Sequence, residues 1–181
     1  MNVRRVVTGH NAAGKAVIAS DEQVPPITLQ LIPGAEFHRL WGADSPPAFP
    51  DSGAEPSNRQ YFPPVGGFRF GLFTVAPETT MIPADLDINA AFAEMETTLP
   101  GMAAHMEPEN PGMHTTASVD YEFVVSGEVT LELDDGVEVH LRAGDTVVQN
   151  GTRHAWRNRS DKPCVLVVVL VGAPHARVAA T

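Results

Sequence analysis

One cysteine, Cys164, stands in 181 residues, so no internal disulfide can staple this chain. It opens an apolar run and reads as a small core hydrophobe rather than a reactive thiol. A reducing cytoplasm suits such a count. No apolar stretch approaches the ~18 residues that a membrane span needs. The longest, Val165–Val171, reads as a strand buried on both faces. The start, Met1-Asn2-Val3-Arg4-Arg5, has no apolar h-region behind it, so no signal peptide is expected. Positive charge is scarce and dispersed: 12 Lys and Arg face 22 Asp and Glu, for a net charge of −10. A chain without a basic stripe repels phosphate backbones, which argues against nucleic acid as a partner. Also missing are the G-x-G-x-x-G and Walker loops that cradle nucleotide phosphates and the G-x-S-x-G elbow of serine hydrolases. A cysteine in a core strand leaves Cys–His catalysis without a nucleophile.

What is there suits one domain: 43% of the residues are hydrophobic, enough for a core. Residues 3–20 read as a hairpin around His10-Asn11-Ala12-Ala13-Gly14. A second extended segment is expected at 35–41. Nine prolines lie from Pro25 to Pro64, so much of 43–66 must be loop, because proline removes backbone donors. Residues 67–76 alternate Phe68, Phe70 and Leu72 on one face and read as a strand. The one credible helix covers 88–99, where Ile88, Phe92, Met95 and Leu99 form a stripe, Asp85 or Asp87 caps the start and Pro100-Gly101 stops it. That stripe packs on a sheet or forms a lid over a cavity mouth.

From Val119 the period becomes two. Val119, Tyr121, Phe123 and Val125 share one face of a strand, and Asp120, Glu122 and Val124 share the other. Turns at Ser126-Gly127-Glu128, Asp134-Asp135-Gly136, Ala143-Gly144-Asp145 and Asn150-Gly151 separate short alternating segments. Strands at this spacing mean a sandwich or barrel. The order His114, Asp120, Glu122, then His154 one hairpin later, is what a small barrel needs to gather polar side chains in one hollow.

Two patterns carry a resemblance. Asp120-x6-Gly127, with His114 six residues ahead, fits the first motif of the cupin superfamily, G-x5-H-x-H-x3,4-E-x6-G. Gly144-Asp145 and then Gly151-x2-His154-x3-Asn158 fit the second, G-x5-P-x-G-x2-H-x3-N. The chain thus resembles a single-domain conserved cupin barrel with a degenerate first motif, over roughly residues 112–172. Three positions depart: Thr116 replaces the second histidine, Asp120 replaces Glu, and Gln149 replaces the proline. The resemblance implies an all-β jelly-roll barrel with an N-terminal strand extension and one short helix. In that division, residues 1–111 pack on the barrel, 112–172 hold the core motifs and 173–181 form a tail. It also implies a homodimer and a divalent metal, Fe, Mn, Zn or Ni, on His114, Asp120 and His154.

Two imidazoles and one carboxylate make an acceptable ligand set with open positions for water and substrate. Without metal, Glu122 or Asp120 in a low-dielectric pocket would have a raised pKa and could move protons alongside His154. The candidate catalytic residues are Glu122, His154 and Asp120. Thr116, Trp156 and Phe123 are expected to line a substrate pocket. His105 and Glu107 could reach the mouth, and Arg153 and Arg157 could hold a substrate carboxylate or sit at a solvated edge. His140 is expected to face solvent. The expected function is binding of a small organic molecule, with metal-dependent dioxygenase, lyase, isomerase or dehydratase chemistry. A non-catalytic binding or sensor barrel without metal is the other reading.

Overall fold

The computed structural model describes residues 1–58 and 60–178; Arg59 and the end of the 173–181 tail lie outside them. Strands β1 (Val3–His10) and β2 (Ala16–Val24) form a separate hairpin ribbon. A five-stranded sheet follows the order β3 (Glu36–Ala43), β4 (Phe68–Val75), β10 (Cys164–Gly172), β5 (Ser118–Ser126), β8 (Thr146–Asn150). A three-stranded sheet joins β7 (Glu138–Arg142), β6 (Glu128–Glu132) and β9 (Ala155–Arg157). Every pairing is antiparallel. The segment before residue 112 therefore supplies two strands of the larger sheet itself, β3 and β4. Among the described residues no helix is long and apolar enough to cross a membrane.

The inner faces of the two larger sheets close on each other. Val124 of β5 and Cys164 and Leu166 of β10 pack with Val129 and Leu131 of β6 and Leu141 of β7, all buried. Short turns make this possible. Gly127 joins β5 to β6 at φ 76, and a Cβ there would lie 2.6 Å from the Pro163 carbonyl oxygen, so only glycine fits. Between β6 and β7, Asp135 (φ 57) and Gly136 (φ 70) both take the left-handed conformation that a tight hairpin needs. A second cluster, with Phe37, Phe62, Met95, Leu99, Met102, Val168 and Leu170, seals the other end of β10.

Helix α1 (Ile88–Thr98) starts where the Asp87 carboxylate accepts the backbone N–H groups of Asn89 (3.0 Å) and Ala90 (3.1 Å). Its buried row is Ala91, Met95 and Leu99, while Ile88 and Phe92 stay about half exposed. The row runs through Ala91 rather than the bulkier Phe92, and the small side chain suits a close approach.

Strand β10 differs from the expectation of burial on both faces, and β5 shows which of its two faces turns inward. Along β10, Cys164, Leu166, Val168 and Leu170 are buried, but Val165, Val167 and Val169 are only partly covered and Val171 is exposed. Along β5, the apolar Tyr121, Phe123 and Val125 point outward, and Asp120, Glu122 and Val124 point in. The register aligns Phe70, Val169, Tyr121 and Val148 in one rung across four strands of that outer face. Phe70, Tyr121 and Val148 of that rung are exposed.

Candidate active site

The inward row of β5 changes character along its length. Val124 lies against Leu166 in the packed end; Glu122 and Asp120 come next, opposite Val168 and Leu170. There the barrel is hollow. A cavity of about 340 Å³ is lined by Asp120, Glu122, His114, His154 and Trp156, within a mainly apolar wall. That volume lies within the ordinary range for small-molecule sites.

The two histidines arrive by different routes and are tied by their own backbones. His114 and His154 exchange both N–H···O bonds, each at 3.0 Å, as an isolated antiparallel bridge. Their rings lie 4.2 Å apart, centroid to centroid. In each, Nδ1 meets a backbone carbonyl two residues back: Gly112 at 3.0 Å for His114 and Thr152 at 2.9 Å for His154. A carbonyl only accepts, so Nδ1 must carry the proton, and Nε2 is left with its lone pair. Burial lowers the pKa of both; His154, with His114 beside it as a second cause, falls to about 3. Both imidazoles are therefore neutral acceptors at neutral pH.

The loop that delivers His114 is held by ion pairs. Arg153 grips the Glu107 carboxylate at 2.6 and 2.7 Å, and Arg157 pairs with Glu132 at 2.5 Å while donating to the Pro111 carbonyl. These arginines are thus occupied with structural partners and do not line the cavity. Neither do His105, whose ring stands 4.6 Å from Phe62, or Glu107.

The acids are more unusual. Asp120 is 3% exposed and Glu122 6%. Asp120 Oδ1 and Glu122 Oε2 are fully buried without a hydrogen-bond partner. An uncompensated buried carboxylate is costly, so each group holds its proton more tightly than in water. Desolvation raises Asp120 to about 6, against the opposing pull of the Ser118 and Thr116 hydroxyls. Glu122 rises to about 8, through desolvation first and then the neighbouring Asp120 charge.

Two expected pocket residues are not in it. Phe123 alternates with the acids and is 44% exposed on the outer face, because period two sends neighbours to opposite sides. Thr116 is buried but lies outside the cavity lining, where its hydroxyl accepts from Ser118 at 2.9 Å. Trp156 lines the wall, 6.0 Å from the His154 ring. His140 faces out and sits 3.4 Å from Glu128.

The wall also contains residues with no signal in the sequence. Tyr61 and Phe62 come from the proline-rich loop and pack edge to face at 4.9 Å. Arg39 and Arg69 hold this loop through the Gln60 carbonyl, and the Tyr61 N–H donates to Pro100. Phe37 and Phe73 arrive from β3 and β4, and Met102 and Met106 from the segment after α1.

The donor chemistry suits a divalent ion in part. Nε2 lone pairs backed by Nδ1–H···O=C bonds are how ligating histidines are usually oriented. The arrangement falls short, because among the described residues no three of His, Cys, Asp and Glu are grouped to hold a metal. The set His114, Asp120 and His154 shares one cavity without forming a three-ligand centre.

Several known proteins are similar to this chain. The chain is 38% identical over 101 residues to phomopsin biosynthesis cluster protein C' of Diaporthe leptostromiformis, covering 49% of this chain and 53% of that protein. It is 26% identical over 173 residues to the cupin-domain-containing oxidoreductase srdB of Neurospora crassa, covering 92% and 72%. The match thus spans about half the length of the phomopsin-cluster relatives. A solved cupin 2 conserved barrel domain protein from Salinispora arenicola aligns at TM-score 0.41 and 17% identity, over 84% of this chain and 90% of that one. Residues 103–170 match the Cupin domain model, and they carry His114, Asp120, Glu122 and His154. Residues 103–170 of this chain are thus a Cupin domain, and family membership is confined to that segment.

Proposed function

We propose that this chain is an enzyme that takes a small organic molecule into its barrel and moves a proton on it, as isomerases, dehydratases and lyases do. The observation that carries this reading is the pair Asp120 and Glu122, buried side by side on one strand face with unpartnered oxygens in an otherwise apolar cavity. Their environments separate their acidities, about 6 and about 8, so near pH 7 one is ionised and the other protonated. Carboxyls poised on either side of the working pH are what acid–base catalysis requires.

Asp120 takes a proton from a carbon beside a carbonyl. The C–H electron pair moves into a new C=C bond, and the carbonyl oxygen takes the Glu122 proton. The products are an enol, a protonated Asp120 and an ionised Glu122; the reverse at another carbon completes an isomerisation. With a β-hydroxyl on the substrate, the Glu122 proton goes instead to the departing oxygen, and water and an alkene form. His114 and His154 accept hydrogen bonds from substrate hydroxyls at Nε2, since their Nδ1 protons are committed. The residue roles above need no metal, and among the described residues no three of His, Cys, Asp and Glu are grouped to hold one.

Relatives named as biosynthesis cluster proteins fit a role on small molecules. The apolar outer rung of Phe70, Tyr121 and Val148 supports a homodimer through the larger sheet.

Deuterium wash-in tests the reading. With β-tetralone in D2O, the protein accelerates exchange beside the carbonyl, read by proton NMR. Asp120→Asn and Glu122→Gln each lower that rate at least about a hundredfold. Wash-in unaffected by either substitution refutes the assignment. Binding without any wash-in supports a non-catalytic carrier instead.

A further inference from the structure

The cavity wall is as informative for what it lacks as for what it holds. Its charged or ionisable members are Asp120, Glu122 and Glu78 on one side of the ledger and two histidines with lowered pKa on the other. Among the described residues no lysine or arginine lines it. Four described arginines nearby are committed elsewhere. Arg39 donates to the Asn58 and Gln60 carbonyls, and Arg69 to Asp44 and the Ala43, Phe68 and Gln60 carbonyls. Arg153 and Arg157 pair with Glu107, Asp134 and Glu132. A carboxylate or phosphate entering this hollow would lose its water, find no cation among the described residues and face like charge.

The polar groups that do line it are sparse and of two kinds. His114 Nε2, His154 Nε2 and the Asp120 carboxylate accept. Tyr61 can donate: its phenol stands in the wall between Phe37 (6.0 Å, edge to face) and Phe62. A phenol hydroxyl in a mainly apolar wall wants an acceptor. The loop that carries it is clamped by two arginines, so the phenol is held in place before a ligand arrives.

Taking the cavity as the substrate site proposed above, we infer that it selects an uncharged, mostly apolar molecule bearing a carbonyl or hydroxyl oxygen, excludes carboxylates and phosphates, and uses Tyr61 as a specificity-determining donor to that oxygen. The apolar body lies among Phe37, Phe62, Phe73, Met102 and Trp156. The excluded class includes the acid that would form if an aldehyde substrate were oxidised, so the site discriminates between a carbonyl compound and its own carboxylate.

Binding tests this without turnover. Quenching of tryptophan fluorescence, with Trp156 in the wall, is measured at pH 7 for three matched probes: 2-naphthaldehyde, 2-naphthoate and naphthalene. The aldehyde is expected to bind at least about tenfold more tightly than the carboxylate. Tyr61→Phe is expected to weaken the aldehyde about fivefold and leave naphthalene unchanged, a split that general loosening of the wall would not produce. Asp120→Asn brings naphthoate closer to the aldehyde. The inference is overturned if naphthoate binds as tightly as the aldehyde, if neither binds, or if Tyr61→Phe weakens naphthalene equally. Wash-in lost on Glu122→Gln would still stand beside any of these results, so the two readings fail separately.

Discussion

Replacing Glu122 by glutamine should stabilise this protein, and by an amount that depends on pH. Glu122 is 6% exposed and its Oε2 has no partner. Its pKa rises from the ordinary 4.5 to about 8 on folding, chiefly through desolvation. The sign follows from proton counts. Between those two values the folded chain keeps a proton that the unfolded chain has released, so stability falls as pH rises through the interval and levels off above it. Each pH unit inside the interval costs about 1.4 kcal/mol. From pH 5 to pH 7 that accumulates to roughly 2 to 3 kcal/mol, allowing for partial titration at the lower end. Glutamine has no proton to lose. Its buried amide carries its own penalty, but that penalty is the same at both pH values and cancels in the difference. Asp120 titrates in both proteins. Urea unfolding of wild type and Glu122→Gln at pH 5 and pH 7 reads the effect directly, as midpoint and slope. The variant's stability relative to wild type should grow by roughly 2 to 3 kcal/mol between the two. If the difference is unchanged, or moves the other way, Glu122 ionises freely in the folded chain and cannot be the acid of the site.

The same acidities shape activity. Wash-in should rise through an apparent pKa of about 6 as Asp120 ionises and fall above about 8 as Glu122 loses its proton; both limbs belong to the coupled pair, and a flat profile from pH 5 to 9 would count against it. Dialysis against a chelator should leave wash-in within about twofold, whereas a loss restored by Mn or Fe would place a metal in the reaction. Asn158→Ala should cost about 2 to 3 kcal/mol in urea, because its fully buried amide donates to the Val75 and Lys162 carbonyls, both at 2.8 Å. Tyr121→Lys should shift sedimentation from dimer to monomer without changing wash-in, since Tyr121 is 51% exposed on the outer face; a wild-type chain that already sediments as a monomer would dispose of the dimer.

Much of the framework was legible from local rules. The turn at Asp134-Asp135-Gly136 and the Asp87 cap announce themselves by residue type, and the observed backbone follows. The parity of β5 was equally clear, with Asp120 and Glu122 on one face and Tyr121 and Phe123 on the other. Which face turned inward was harder to read. Apolar residues usually mark the inside, yet here the inside is a polar floor and the outside an uncovered apolar sheet. That inversion put Phe123 on the wrong side of the wall. The cupin motifs that the sequence resembles implied a shared pocket for His114 and His154, and both line the cavity, whereas Thr116, at a motif position, does not. Tyr61 and Phe62 had no chance of being found: they lie in a loop without periodicity, and their place is set by Arg39 and Arg69 reaching from other strands.

The mutual backbone bridge of His114 and His154 has a lasting consequence for how this barrel can change. Floor and wall have separate scaffolds. The groups that handle protons sit on paired strands and on two segments knotted to each other, whereas Leu31, Tyr61 and Ile82 project from connecting segments outside the motif-bearing core. Insertions or exchanges in those connections can resize the chamber and redraw the accepted guest while the proton inventory beneath stays as it is.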